Sequence, residues 1–277
     1  MVGIIDVGGG MRAVYTSGIY DRLIDEGITP EYCIGVSAGS ANLITYIAGQ
    51  RGRTRRFYLE YSQRNEYMGF GLMLKKHIFF NLDYVYTTLS NSNGEDPLDI
   101  QSAKNSKCRF FAVATNALNG KTEYFGLDRF EEDDYYVLKA SCAIPLACSP
   151  VKIKSDFYFD GGISEPIPYK KAFDDGCEKL VVILTKPASS YKKEFPVSFI
   201  PNTFTKKYPA ATKALSTMHE KYNRSLQELN LLEKQGKVLI ISPDDCCKVS
   251  TISRKTDRLD SLYNKGYCDA ERIIKFL

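Results

Sequence analysis

Two short apolar runs, each emptying into a glycine-containing turn, constrain this chain more than anything else in it. "VGIIDV" spans Val2–Val7 and "EYCIGV" spans Glu31–Val36. Runs of this length between turn signals read as strands buried on both faces, the hallmark of a parallel sheet covered by helices. Each turn leads into a helical pattern. In "GGGMRAVYTSGIYDRLIDEG", Val14, Ile19, Leu23 and Ile24 recur at near-helical spacing and Gly27 ends the run. "AGSANLITYIAG" is the second such segment. Strand, loop, helix, strand, turn, helix is an α/β opening.

The rest of the chain extends that pattern. "RFFAVATNA" reads as a strand with "KTEYFG" as its partner, and "DYYVLKASCAI" as a helix stopped before Pro145. "VKIKSDFYFDGG" reads as a hairpin or edge pair, "KLVVILT" as a strongly buried strand and "KVLIIS" as a late one. Residues 51–105 read as mostly helical, irregular and aromatic-rich. A long amphipathic helix is expected over 207–235, and a final helix over Arg258–Leu277. No linker composition interrupts the 277 residues, so a single domain over 1–277 is expected.

Composition excludes several classes. Hydrophobic residues make up 44% and charged residues 25%, which is ordinary for a folded soluble protein. A net charge of +4 is far from the basic excess of a nucleic-acid binder, so no nucleic-acid partner is expected. Arg51, Arg53, Arg55 and Arg56 cluster in "RGRTRR". Lys75–Lys76, Lys192–Lys193 and Lys206–Lys207 form basic pairs. The arginine cluster and these pairs read either as solvated surface or as a face for anionic lipid head groups or phosphate. Eight cysteines without a C-x-x-C pair, and only His77 and His219, argue against a zinc site. Scattered cysteines suit free thiols in a reducing cytoplasm. "MVGIIDVGGG" begins a strand without a basic leader. The uncharged stretch Tyr32–Gln50 is broken by glycines, hydroxyl residues and Asn42, so it reads as strand, turn and helix rather than a membrane span. The expectation is a cytoplasmic protein, with membrane contact peripheral where it occurs.

Three motifs carry chemistry. "VGGGMRA" places Gly8, Gly10 and Ala13 in the form G-x-G-x-x-A after a strand and before a helix. Such a loop offers backbone N–H groups and a helix N-terminus to an anion, whether a dinucleotide pyrophosphate or the oxyanion of an acyl intermediate. "GVSAG" places Ser37 between Gly35 and Gly39 on a strand-to-helix turn. This is the setting of a nucleophile elbow, and also of an ordinary serine N-cap. A serine nucleophile needs a base. His219 lies in a charged amphipathic helix, and His77 in "KKHIFFNLDYVY" is equally consistent with a structural role. Asp160 ends an aromatic strand and is followed by Gly161 and Gly162. Burial beside aromatic rings would raise its pKa toward that of a useful base, whereas "DGG" by itself also reads as a turn.

Together "GGGMR", "GVSAG" and "DGG", in that order, resemble the patatin-like phospholipases. "KASCAIPLACSPV" is similar to that family's segment before the aspartate strand, and residues 3–187 carry the resemblance best, with 188–277 a helical extension holding a late strand. The resemblance implies a three-layer α/β/α sandwich with a mostly parallel central sheet. It implies lipid acyl-ester hydrolysis by a Ser37–Asp160 dyad, without metal or cofactor. It further implies an oxyanion hole from Gly9 and Gly10, with Gly8 permitting the turn and Arg12 steadying the loop. Ala13 departs from the family's common third glycine, and Val7 stands where many members carry an acid. An acyltransferase on the same dyad and a nucleotide-binding module are the alternatives.

Overall fold

The computed structural model describes residues 1–277, the side chain of Val197 apart. In chain order the elements are β1 (Val2–Asp6), α1 (Val14–Asp25), β2 (Tyr32–Val36), α2 (Ala38–Ile47), α3 (Arg53–Leu59), α4 (Phe70–Lys76) and α5 (Ile100–Asn105). There follow β3 (Arg109–Asn116), β4 (Thr122–Gly126), α6 (Tyr136–Ser141), β5 (Val151–Ile153), β6 (Asp156–Asp160), α7 (Tyr169–Asp174) and β7 (Lys179–Ile183). The chain ends with α8 (Asn202–Lys207), α9 (Pro209–Lys234), β8 (Val238–Ile241) and α10 (Thr256–Phe276). A short π-helical turn, Tyr84–Leu89, lies in the region that the sequence marks as helical and irregular.

The strands form one eight-stranded sheet in the order β5-β6-β3-β2-β1-β7-β8, with β4 paired to β3. Strands β3, β2, β1, β7 and β8 are mutually parallel, β4 and β6 pair antiparallel with β3, and β5 pairs antiparallel with β6. The order explains the unbroken apolar runs. Alternate residues of β1 and β7 feed two different cores: Ile4, Val181 and Ile183 pack with α1, α2 and α10, whereas Ile5 and Val182 pack with α7 and α9. The result is a mixed α/β fold with helices on both faces of the sheet.

The two terminal helices are built by periodicity. In α10 the buried residues are Leu259, Leu262, Tyr263, Gly266, Ala270 and Ile273, a stripe at three- and four-residue steps. That stripe lies on α1 at backbone distance. A Cβ added at Gly266 would stand 1.9 Å from the Tyr15 carbonyl oxygen, and one at Gly18 would stand 2.0 Å from the Tyr263 carbonyl oxygen. Helix α9 begins with Pro209 in its first turn, where a missing N–H costs nothing. It buries Tyr222, Leu226 and Leu229. Among the described residues, no helix is long and apolar enough to cross a membrane.

The "RGRTRR" cluster does not form an open basic face. Arg51 grips Asp25 at 2.5 and 2.9 Å, Arg55 reaches Asp260 at 2.6 Å, and Arg56 forks onto Asp96 at 2.6 and 2.9 Å. Arg53 is buried and donates to the Asp96 carbonyl and, at 2.8 Å, to Ser90 Oγ. Four neighbouring arginines thus serve as ties between segments.

The α1–α10 contact gives a direct test. Gly266→Ala puts a methyl group into backbone that cannot yield, and overpacking of this kind costs about 1–3 kcal/mol. Gly71→Ala, in α4 with nothing within 4 Å, is the matched control. Chemical denaturation should show Gly266→Ala clearly destabilised and Gly71→Ala unchanged or slightly stabilised.

Candidate functional site

The site is assembled where β1, β2 and β6 end. Strand β2 pairs with the first part of β3, so that Val36 lies opposite Val113. Strand β6 pairs with the last part of β3, so that Asp160 lies opposite Ala114. Thr115 is paired at once with Thr122 of β4 and Phe159 of β6, so β4 occupies one edge of β3 while β2 and β6 share the other. β2 and β6 therefore run toward each other along a single edge, and their C-terminal ends meet one register step apart. Ser37 follows one end and Asp160 closes the other. Gly161 permits this meeting, because a Cβ there would stand 2.4 Å from the Val113 carbonyl oxygen.

The turn after β2 is sharp. Ser37 has φ 57° and ψ −134°, a strained conformation for a residue with a side chain. Such a residue costs about 1–3 kcal/mol and persists only where its surroundings impose it. Here the Ser37 N–H donates to Ser141 Oγ at 3.0 Å, and Ser141 Oγ lies 2.8 Å from Ser40 Oγ. Gly35 and Gly39 make room: a Cβ on Gly35 would stand 2.4 Å from Ser40 Cα, and one on Gly39 would stand 2.5 Å from the Asp6 carbonyl oxygen. Ser37 occupies the N-cap position of α2, yet its hydroxyl makes no capping bond to the helix. The N-cap reading therefore fails, and the hydroxyl is left for another use.

The glycine loop after β1 has φ 64° at Gly8, 136° at Gly9 and 60° at Gly10, all in the region that favours glycine. A Cβ on Gly8 would stand 2.3 Å from the Val36 carbonyl oxygen, so the loop lies directly against the elbow. Asp6, fully buried, anchors it: Oδ1 accepts the Gly8 N–H at 2.9 Å and Oδ2 accepts the Tyr20 hydroxyl at 3.0 Å. Thr185 Oγ1 donates to the Gly8 carbonyl at 2.5 Å, and Thr251 accepts the Met11 N–H at 3.0 Å and Arg12 Nη1 at 2.9 Å. Among the described residues, the Gly9 and Gly10 N–H groups donate to no protein acceptor. Sequence reading missed Asp6, Ser141, Thr185 and Thr251.

Asp160 is 6% exposed and Ser37 9% exposed. Asp160 Oδ1 accepts the Gly162 N–H at 2.8 Å, so "DGG" is indeed a turn, and the carboxyl keeps its second oxygen. Burial dominates its chemistry and raises its pKa from 3.8 to about 6, against the lowering influence of Ser37, the Gly162 N–H and Lys192. The Ser37 hydroxyl thus stands close enough to Asp160 to affect its titration. The Cys142 thiol lines the same cavity as Ser37; burial holds it protonated, and it lies 3.1 Å from the Tyr86 hydroxyl. Among the described residues, neither histidine lines either of the cavities that contain Ser37. His219 Nδ1 lies 2.9 Å from the Ser216 carbonyl on its own helix, and His77 is exposed at the end of α4.

Two cavities meet at Ser37. One is apolar and lined by Met11, Phe57, Tyr58, Phe80, Val85 and Tyr86 among others. The other holds Asp160, the glycine loop, Arg12, Lys186 and Lys192.

Comparison with known proteins places this architecture. A family model described as patatin-like phospholipase matches residues 7–173, and a second, described as a domain of unknown function (DUF6363), matches residues 208–277. The uncharacterized protein YjjU of Escherichia coli K12 is 29% identical over 195 residues, 69% of this chain and 53% of that protein. The chain therefore spans about half the length of that curated relative. The crystal structure of VipD from Legionella pneumophila superposes with a TM-score of 0.54 at 14% identity, over 99% of this chain and 66% of that one, a similarity of fold. With the glycine loop, the serine elbow and most of the sheet inside a match that spans more than half its length, the chain belongs to the patatin-like phospholipase family.

Proposed function

We propose that this protein is a serine acyl hydrolase of lipid esters, in which Ser37 is the nucleophile and Asp160 the general base. The observation that carries the reading is the pairing of a hydroxyl on a strained turn, unused by its helix, with a buried carboxyl whose pKa of about 6 suits a base at neutral pH. A free aspartate would be a far weaker base. Family membership supports the reaction class.

The chemistry runs in two displacements. Asp160 takes the Ser37 proton as Oγ bonds to the ester carbonyl carbon. The oxyanion that forms is met by the unengaged N–H groups of Gly9 and Gly10, at the point where α2 also presents its N-terminus. Collapse breaks the bond to the alcohol oxygen, which leaves with the proton held by Asp160. Water then gives a proton to Asp160, attacks the acyl-enzyme and releases the fatty acid, and Ser37 recovers its proton. The cavity beside Ser37 is suited to the acyl chain, since Met11, Phe57, Phe80, Leu82, Val85 and Ile144 give it a mainly apolar lining. Gly8 and Arg12 hold the loop, and Gly35, Gly39, Gly161 and Gly162 permit the approach of the two strand ends.

Two tests follow. With a soluble short-chain ester, Ser37→Ala and Asp160→Asn should each lower kcat/KM by at least about 10³-fold. The wild-type kcat/KM should fall as pH drops through about 6, as Asp160 gains its proton. An acid limb near pH 4 would contradict a buried base.

The second test is stability. Because burial raises the Asp160 pKa, the folded protein holds this proton more tightly than the unfolded chain. That contribution to stability is present below the unfolded pKa and is lost as pH rises through about 6. Asp160→Asn should therefore melt higher than wild type at pH 7–8, with the gap closing below about pH 5. A variant that melts lower throughout would mean that Asp160 is a structural residue.

A further inference from the structure

The second cavity holds a cluster of cations that the hydrolytic steps do not use. Arg12 enters from behind the glycine loop, Lys186 from just beyond β7, and Lys192 from the segment before α8. Among the described residues none of the three forms a salt bridge, in a molecule where most arginines do. Among the described residues, Asp160 is the one carboxylate in the cavity lining.

Lys192 is deliberately placed. Its backbone N–H donates to Asn223 Oδ1 at 2.8 Å, and Asn223 Nδ2 donates to its carbonyl at 2.9 Å, so α9 clamps this residue from both sides. Its ammonium lies over the Tyr222 ring, 4.4 Å from the centroid. Arg12 spends Nη1 on Thr251 but leaves a buried Nε with no partner. Burial lowers the Lys192 pKa to about 8, Asp160 works to raise it, and Lys186 and Arg12 lower it further by repulsion. Lys186, though exposed at the surface, is lowered by partial desolvation and then by Arg12. Gathering three like charges around the single carboxylate of Asp160 opposes folding, and a further anion among them relieves that repulsion. The cavity, about 240 Å³, has room for a phosphate group, since a single water needs about 10–15 Å³.

Geometry ties this cluster to the reaction. Ser37 borders both cavities, apolar on one side and cationic on the other. A lipid ester lying across Ser37 with its acyl chain in the first cavity directs its alcohol portion into the second. We propose that Arg12, Lys186 and Lys192 form a subsite for an anionic phosphate headgroup on the alcohol side of the scissile ester, selecting lipids of net negative charge over uncharged or zwitterionic ones. The inference rests on the acyl-hydrolase reading. A choline-type headgroup brings its own cation into the cluster and loses part of the gain. An uncharged glycerol leaves the repulsion unrelieved.

The test compares lysophosphatidate, lysophosphatidylcholine and monoacylglycerol of one short acyl length, each below its micelle concentration so that no charged surface contributes. The wild-type kcat/KM should favour lysophosphatidate by about tenfold or more over both others, as charge-assisted hydrogen bonds imply. Lys192→Met and, independently, the exposed Lys186→Ser should each reduce that preference about fivefold to tenfold, chiefly through KM for the anionic substrate. Inorganic phosphate, assayed as an inhibitor of monoacylglycerol hydrolysis, separates the sources of the anion. Inhibition together with the substrate preference supports a headgroup subsite. Inhibition with a preference near one means a site for free phosphate and overturns the proposal. Equal loss on all three substrates in Lys192→Met, with a moved acid limb, means that Lys192 only tunes Asp160, and this also overturns it. Ser37-dependent hydrolysis without preference sinks the subsite alone. No hydrolysis of any of the three by folded protein sinks the acyl-hydrolase reading and the subsite with it.

Discussion

The meeting of two strand ends on one edge of β3 is the constraint on which the site depends. β2 runs up that edge to Val36 and β6 runs down it to Asp160, one register step short of collision. The arrangement requires glycine on both sides. Gly161 lies against the Val113 carbonyl, and Gly35 and Gly39 lie against Ser40 and Asp6. Because sheet register is fixed by hydrogen bonds along the whole of β3, the separation of Ser37 from Asp160 is set by backbone pairing rather than by flexible side chains. That is the kind of support the proposed dyad needs, since small misplacements are costly in rate.

The same arrangement is expensive. Two carboxyls, Asp6 and Asp160, are buried, and burial pushes each to a pKa of about 6. Their hydrogen bonds differ in purpose. Asp6 spends both oxygens on structure, holding the Gly8 N–H and the Tyr20 hydroxyl, so it fixes the shape of the glycine loop. Asp160 spends one oxygen on the Gly162 N–H and keeps the other. Ser37 adds backbone strain, which Ser141 and the packing of α2 sustain. A well-packed core on each sheet face, continued by α9 and α10, offsets these costs.

Much of this was legible in the sequence, for identifiable reasons. Buried strands and glycine turns leave strong local signals, so β1, β2, β7 and β8, both glycine motifs and the long helix near α9 were readable from spacing alone. "DGG" was readable only as a choice between turn and base, and Asp160 proves to form the turn while leaving one oxygen free. Asp6 was visible as an acid inside an apolar run, but nothing local says that it faces inward onto the loop that follows it. Ser141, Thr185 and Thr251 are distant in sequence from what they hold, and Lys192 lies in a segment without periodicity. "RGRTRR" misleads for the opposite reason: local charge density suggests a basic face, whereas its partners Asp25, Asp96 and Asp260 come from elsewhere in the chain. Local pattern reports elements, and long-range pairing decides which charges are free.

The central claim is that Ser37 is activated by Asp160 and by no histidine. Labelling with a fluorescent fluorophosphonate tests it most directly, with the modified residue located by peptide mass spectrometry. The account predicts a label on Ser37 in wild type, its loss in Ser37→Ala and Asp160→Asn, and its retention in His77→Ala and His219→Ala. Loss of labelling in a folded histidine variant, or undiminished labelling in Asp160→Asn, would contradict the dyad.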